Sequence, residues 1–462
     1  MSDKQITLDD ISNSDAAPKA AHIESSSFGN TPKDWTWEPS EEHLEYIESG
    51  ISNSQNKDGN GIPVSRIETI ANGVVNYEKV GYVDGEEDYE KHRLKSGDLL
   101  FSNINSRKEI GKTAIYRGEK PLYHGMNLLR LRYDSDSFNP YFAYYVYDSP
   151  MAQNVFFRMS KAAVGQSSIN QSQIERFYLP RPSLSEQRKI ATVLYTVDQA
   201  IEKTEEIIDN RGEIRRGLMQ DIFRYGVDSD GELRSSGNDT YQETKYGVAP
   251  KEWEILPLEN TVADDASITY GIVKPGDHYP GGVPVIKVEN ITNGEVQTDN
   301  LLHTDPEIHQ KYDRAELKEG DLLFTIRGTV GRMAFVPECL EGGNLTQDTA
   351  RIRVENANPE FVRYYLETAT PNNYFERHTK GQAVQGINLE DLQQVPVHLP
   401  SREEQERIVE ILDSHTEQIQ NEREYCDQLQ RLKRGLMQDL LSGTVRTTDT
   451  NIAVPEEIAQ YG

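Results

Sequence analysis

At 462 residues the chain has room for two or three domains of ordinary size, each able to bury a core. Its 49 Lys and Arg stand against 76 Asp and Glu, a formal charge of −27 that by itself argues against nucleic acid as a partner. Two cysteines, Cys339 and Cys426, exclude a disulfide framework and a cysteine metal site, so a reducing, cytoplasmic home is expected. The opening MSDKQITLDDISNSDAAPKAAHIESS has no apolar core, so residues 1–27 read as a disordered tail rather than a signal peptide. No apolar run approaches the roughly 20 residues that a membrane helix needs, and no membrane partner is expected.

In chain order, residues 28–182 read as a strand-rich domain. GIPVSRIETIANG from Gly61 suggests a strand and a turn, and GDLLFSNIN from Gly97 a second strand entering a polar loop. EIGKTAIY contains Gly111, Lys112 and Thr113, the tail of a phosphate-binding loop, but Ser106 stands where that loop needs glycine, so a strand start is expected instead. NPYF at Asn139 resembles an amino-methyltransferase signature, yet no glycine-rich cofactor loop accompanies it. Asn as N-cap and Pro in the first turn of a helix explain it better.

Residues 183–226 then read as one long helix. Ser183 lies three residues before Glu186, the capping-box spacing, and Ile190, Leu194, Val197, Ile201, Thr204 and Ile208 step by four and three. After a linker at 227–245, everything returns. YGVAPKEW at Tyr246 matches FGNTPKDW at Phe28, GDLLFTIRG matches GDLLFSNIN, NPEF at Asn358 matches NPYF, and RGLMQD at Arg434 repeats Arg216–Asp221 exactly 218 residues later. The second domain is expected at 246–400, its helix at 401–443 and a tail at 444–462. The second seam runs Ile408, Leu412, His415, Ile419, Glu422, Cys426 and Leu429, with Ser401 and Glu404 at its start and Gly443 at its end, as Gly226 ends the first. Helices of about 40 residues would be near 60 Å long at 1.5 Å per residue. A stripe that long and narrow suits a partner helix better than the helix's own domain, and the two helices are expected to pair. The fold class is therefore α+β: two tandem strand-rich domains, each followed by a long helix, with the helices as an antiparallel coiled coil in a pseudo-twofold repeat.

Two domains ending in Gly165–Asn170 or Gly381–Asn388, each followed by Pro, Ser, Glu-Gln and a helix closing on RGLMQD, resemble a Type I restriction-modification specificity subunit over Phe28 to about Gly443. The resemblance implies two target-recognition domains that each read half of a split sequence in double-stranded DNA. It implies helices that act as a ruler and dock two methyltransferase subunits, with restriction/translocase subunits joining that core. S-adenosylmethionine, ATP and Mg would belong to those partners, and this chain would be non-catalytic with no cofactor or metal of its own. Arg216, Leu218, Met219, Arg434, Leu436 and Met437 are the expected docking residues. Candidates for DNA contact are strand-end loop residues with donors for base edges or phosphates: Asn103, Asn105, Arg107, Lys108, Lys112, Lys161, Gln166 and Ser167 in the first domain, and Lys274, Arg327, Thr329, Arg332, Lys380, Gln382 and Gln385 in the second. Arg327 is also a candidate to pair with Asp321 or Glu338.

Charge opposes this reading. Residues 246–400 carry 13 Lys and Arg against 24 Asp and Glu, a net of −11. In multimolar salt the phosphate-neutralisation contribution is nearly lost and an acidic surface keeps a protein solvated, so a halophilic host is expected. Two alternatives stay open: a stand-alone nucleic-acid enzyme, which would need a cofactor loop or carboxylate cluster, and an acidic coiled-coil scaffold with two protein-binding heads.

Overall fold

The computed structural model describes residues 31–70, 73–85, 88–163, 166–234, 240–379 and 386–461, so the tail expected at 1–27 lies outside the described residues. Two compact units emerge: one from the described residues up to Glu205 together with those from Glu424 onward, the other from Glu206–Arg423.

In the first unit, four antiparallel strands lie in the order Leu44–Ser49, Leu129–Tyr133, Leu99–Phe101 and Thr113–Ile115. The LLF run is buried on both faces, and its pleat sorts the side chains. Leu99 and Phe101 enter the main core with Trp35, Phe142 and Phe156, whereas Leu100 joins Ile70, Ala114 and Leu128 on the other side. The second unit repeats this order with Thr269–Tyr270, Thr349–Ile352, Leu322–Thr325 and Met333–Phe335. Leu322 and Phe324 again face the main core and Leu323 the lesser one. An aspartate fixes the turn before each central strand. Asp98 accepts the Lys95 N–H at 2.8 Å and two Arg132 N–H groups at 2.6 Å, and Asp321 does the same for Lys318 and Arg353 at 2.7–2.8 Å.

The first unit then forms α1 (Pro140–Asp148) and α2 (Pro150–Met159), followed by the long α3 (Leu184–Tyr225). The second forms α4 (Pro359–Leu366) and α5 (Ala369–His378), followed by the long α6 (Arg402–Leu441). Asn139 caps Tyr141 and Phe142, and Asn358 caps Glu360 and Phe361, which accounts for both Asn-Pro pairs. Thr113 opens a strand, as expected. None of the helices among the described residues is long and apolar enough to cross a membrane.

Only half of each expected capping box is present. Ser183 accepts the Glu186 N–H at 3.3 Å and Ser401 the Glu404 N–H at 3.4 Å. The glutamates do not reach back. Glu186 instead accepts from Trp35 Nε1 at 3.2 Å and from Arg446 at 2.7 and 2.9 Å. Glu404 accepts from Trp253 Nε1 at 3.2 Å, Arg234 at 2.6 Å and the Val227 N–H at 3.0 Å. A buried carboxylate is better served by a guanidinium and an indole than by one backbone amide. The next residue holds the domain. Gln187 accepts the Asn139 N–H and donates to the Pro182 carbonyl, as Gln405 does with Asn358 and Pro400. The repeated Glu-Gln thus ties each long helix to its strand-rich domain.

The long helices pack together antiparallel, and their ends also enter the domain cores. In the first unit Ile190 and Leu194 of α3 share a core with Met437, Leu440 and Leu441 of α6. In the second, Ile408 and Leu412 of α6 meet Met219, Ile222 and Phe223 of α3. Between the helices of the second unit, Arg211 reaches Gln418 at 2.5 Å and Arg215 reaches Thr416 at 3.1 Å. Both packing modes weighed from the seams therefore occur, each on its own stretch. Thr204, Ile419, Cys426 and Leu429 are buried, while Val197, Ile201, Ile208, His415 and Glu422 are half-buried.

In the first unit Lys433 of α6 lies between Asp198 of α3 at 2.8 Å and Asp148 at the end of α1 at 3.4 Å. Burial raises the Asp148 carboxyl above the usual carboxylate range, and Lys433 opposes that rise. Lys433→Met is expected to destabilise the chain by about 2 kcal/mol at neutral pH, because two acids are left facing each other without a cation. Removing the lysine raises the folded-state pKa of Asp148 further, so protonation then favours the folded state. The deficit should therefore shrink as pH falls from 7 toward 4. Urea unfolding at several pH values measures this, and a pH-independent deficit would contradict it.

The segment from Thr444 onward, expected as a tail, packs on the first unit. Val454, Ile458 and Tyr461 join its core, Asn139 donates to the Ile458 carbonyl at 3.2 Å, and Lys189 donates to the Thr448 and Thr450 carbonyls at 2.9 Å.

Candidate nucleic-acid interface

The strand that begins with GDLLF delivers its following loop to one corner of each unit. In the first, Ile104–Asn105 pairs with Gln166–Ser168, which pairs in turn with Lys161–Ala163. That small sheet gathers Asn105, Lys161, Gln166 and Ser167, though Asn105 lies some 60 residues from the other three in sequence. The Asn103 carbonyl accepts the Ile169 N–H at 2.9 Å, fixing the corner from below. Asn105 is partly committed, donating to Ser102 at 3.0 Å and accepting the Ser106 N–H at 2.7 Å. Asn103 Oδ1 is buried without a hydrogen-bond partner among the described residues. Arg107 and Lys108 are exposed on the turn beyond, and Lys112 is ion-paired to Glu109. Ser167 is a correction: at 2 % exposure it faces inward, because alternate residues of that short strand point into the domain.

One residue of this corner escaped the sequence reading. Phe157 of α2 is 42 % exposed, with the Arg107 guanidinium 4.4 Å from its ring centroid. Such a stack holds the arginine's plane while leaving its N–H groups free. The VFFRM stretch carried the signal, since two adjacent phenylalanines on one short helix cannot both face its core.

In the second unit the Arg327 backbone bridges to Gly386, and the Ile387 N–H donates to the Ile326 carbonyl at 2.9 Å. This is the counterpart of the Asn103–Ile169 bond. The same frame therefore presents Asn103-Ile104-Asn105 in one unit and Ile326-Arg327-Gly328 in the other. Arg327 is exposed, and its nearest carboxylate is Asp348 at 3.8 Å. It pairs with neither Asp321 nor Glu338; Asp321 is already taken by Arg353. Thr329 is exposed on the same turn, and Arg332 is anchored by a 3.3 Å bond to the Ile291 carbonyl. Lys274 is exposed on a different loop, beside the exposed Val273 and close in sequence to the exposed Tyr279. Lys380, Gln382 and Gln385 lie outside the described residues.

An exposed cation that no carboxylate holds is free to meet a phosphate or a base edge. Among the described residues Arg107, Lys108, Lys161 and Lys274 have no carboxylate within ion-pair distance.

The repeated RGLMQD divides in two. Met219 and Met437 are 6 % and 3 % exposed and pack inward, and Leu218 and Leu436 are half-buried against the same cores. These four pack inside the chain, so the surface expected of them narrows. The exposed members are Arg216, Gly217, Gln220 and Asp221, and identically Arg434, Gly435, Gln438 and Asp439.

A family model described as the Type I restriction modification DNA specificity domain matches residues 33–210 and 273–431. The chain is 31 % identical over 436 residues to a protein of Methanocaldococcus jannaschii named as the specificity subunit of the type I restriction enzyme MjaX, covering 93 % of this chain and 97 % of that one. It is 26 % identical over 297 residues to the type I restriction enzyme EcoBI specificity subunit of Escherichia coli, covering 63 % of this chain and 61 % of that one. Its fold resembles the S subunit of a Type I restriction-modification system from M. genitalium, with a TM-score of 0.52 at 12 % identity over 89 % of this chain and 96 % of that one. A chain from a structure of the type I R-M system gives a TM-score of 0.51 at 17 % identity, over 90 % of this chain and all of that one.

Proposed function

Because the chain belongs to the family of Type I restriction-modification DNA specificity subunits, we propose that it reads a bipartite double-stranded DNA target for a complex in which it is the non-catalytic member. Each strand-rich domain reads one half-site, and the long helices dock two methyltransferase subunits, which restriction/translocase subunits join. S-adenosylmethionine, ATP and Mg belong to those partners, and the complex works in the cytoplasm of a salt-rich host. One observation carries this reading: a single framework, held by the same Asp-Arg pair and the same Trp-Glu-Arg cluster, presents different residues on the equivalent strand-end loop. A frame kept constant while its loop varies is what sequence reading needs. Docking draws support from the exposed Arg216, Gly217, Gln220 and Asp221, whose identical recurrence at Arg434, Gly435, Gln438 and Asp439 internal packing does not require.

Methylome sequencing of the host tests both parts. Deleting the gene should abolish one bipartite methylated motif, and the intact gene should restore it. The double variant Arg216→Glu, Arg434→Glu should fold but fail to restore it. An unchanged methylome on deletion would refute the DNA-reading role and leave an acidic scaffold as the better account.

A further inference from the structure

The second unit contains a cavity of about 600 Å³, lined among others by Lys245, Tyr246, Asn373, Tyr374, Arg377 and His378. None of the loop residues at 274, 327, 329 and 332 lines it. Lys245 and Tyr246 stand at the tip of the hairpin formed by Tyr241–Thr244 and Gly247–Pro250. That tip is held in shape: the Thr244 hydroxyl accepts the Tyr246 N–H at 3.0 Å and donates to the Gly247 carbonyl at 2.8 Å. Thr370 ties it to α5 by donating to the Tyr246 carbonyl at 3.2 Å. α5 supplies Arg377 and a stacked pair, the Tyr374 and His378 rings, 3.9 Å apart and 18° from parallel. His378 Nδ1 lies 2.8 Å from the Tyr374 carbonyl, an acceptor, so Nδ1 carries the proton and the ring's orientation is fixed.

The charge of this cavity is opposite to that of the chain. Among the described residues no acid lines it, and Asp391, whose charge reaches Tyr374, stands outside the lining. Neither Lys245 nor Arg377 has a carboxylate within ion-pair distance among the described residues. The first unit shows that the shared fold does not demand the aromatic pair. There α2 keeps Asn154 and Arg158 at the positions of Asn373 and Arg377, but carries Val155 and Met159 where α5 has Tyr374 and His378.

We propose that this cavity binds a nucleotide unit, with Lys245 and Arg377 on the phosphate oxygens and the Tyr374–His378 pair against the flat face of the base. Two cations without a carboxylate partner, Lys245 with its ammonium 4.7 Å from the Tyr246 ring centroid, select an anion, a fixed aromatic pair selects a planar group, and the volume falls in the range of small-ligand sites. A free nucleotide and a nucleotide within a DNA strand share this chemistry.

Titration calorimetry of the full chain, at the lowest ionic strength at which it stays folded, tests the assignment, because surface charge is then screened least. Deoxyadenosine monophosphate should bind, inorganic phosphate should compete with it, and deoxyadenosine should bind at least about tenfold more weakly. The double variant Lys245→Gln, Arg377→Gln should weaken the nucleotide at least about tenfold with its unfolding temperature unchanged. The first-unit residues, as Tyr374→Val with His378→Met, should reduce the nucleotide to the affinity of inorganic phosphate. Competition with duplex DNA would assign the site to the strand, and undisturbed DNA binding would assign it to the free nucleotide. Absence of nucleotide binding, or binding unaltered by the loss of both cations, overturns the proposal. The readout does not involve methylation, so its failure is distinct from failure of the DNA-reading role.

Discussion

Glu404→Ala is expected to destabilise the chain by about 3 kcal/mol, because it leaves three donors that converge on one buried carboxylate without an acceptor. The side chain is 4 % exposed and takes the Trp253 indole, the Arg234 guanidinium and the Val227 amide. Arg234 is 24 % exposed and keeps its contact with Glu252, which limits the loss. Glu404→Gln retains an acceptor for Trp253 and Val227 and should cost only about 1 kcal/mol. Burial, the largest influence, raises the Glu404 pKa above the ordinary carboxylate value even against the lowering by Val227 and Arg234. A carboxyl with a raised folded-state pKa binds its proton more tightly in the folded chain. Its contribution is therefore complete at low pH and declines as pH rises through the carboxylate range. The glutamine variant lacks that titration, so its disadvantage should be greatest near pH 4 and smaller at pH 7. Urea unfolding followed by tryptophan fluorescence measures both effects. An alanine variant within about 0.5 kcal/mol of the parent would show that the cluster does not hold the second unit together.

The long helices were legible because their evidence is local. A serine, a glutamate three residues on and a stripe at steps of four and three define α3 and α6 to within about two residues, an ordinary boundary error. The strand at GDLLF was legible for the same reason. The clusters at Glu186 and Glu404 were not, since Trp35 lies 151 residues from Glu186 and Arg446 lies 260. No period or cap spacing encodes such a distance. Repetition alone hinted at it: Trp, Glu and Gln recur at one offset, but the arginine arrives from non-equivalent places, Arg234 after Gly226 and Arg446 after Gly443. The order of the final segment was hidden likewise, because Ile458 and Tyr461 reveal their partners only once Asn139 and Ser96 stand beside them. At the candidate interface, sequence singled out the loops but not the direction of each side chain. Ser167 turned inward, and Arg107 acquired a phenylalanine beneath it.

For Arg327 the competition among acids decides the expectation. The framework pair Arg353–Asp321 is bidentate at 2.7 and 2.8 Å, which removes the aspartate nearest in sequence. What remains is Asp348 at 3.8 Å, with Arg327 53 % and Asp348 41 % exposed, a separation at which an exposed pair is worth little. The guanidinium is therefore free to leave it. Gly328 and Gly331 follow with φ of 76° and 92° and open space around each, so no side chain blocks a groove wall from approaching. If Arg327 holds a guanine through two hydrogen bonds, Arg327→Ala should cost about 1–3 kcal/mol on the cognate site and relax one position of one half-site. If it holds a phosphate, every sequence should weaken alike and the dependence on salt should become shallower. Binding to a panel of singly altered half-sites, repeated across a range of salt, separates the two. The base-reading outcome should persist at high salt, because a hydrogen-bonded base edge releases no counterions and its discrimination does not fade with ionic strength. Unchanged affinity for every sequence at every salt would remove Arg327 from the interface.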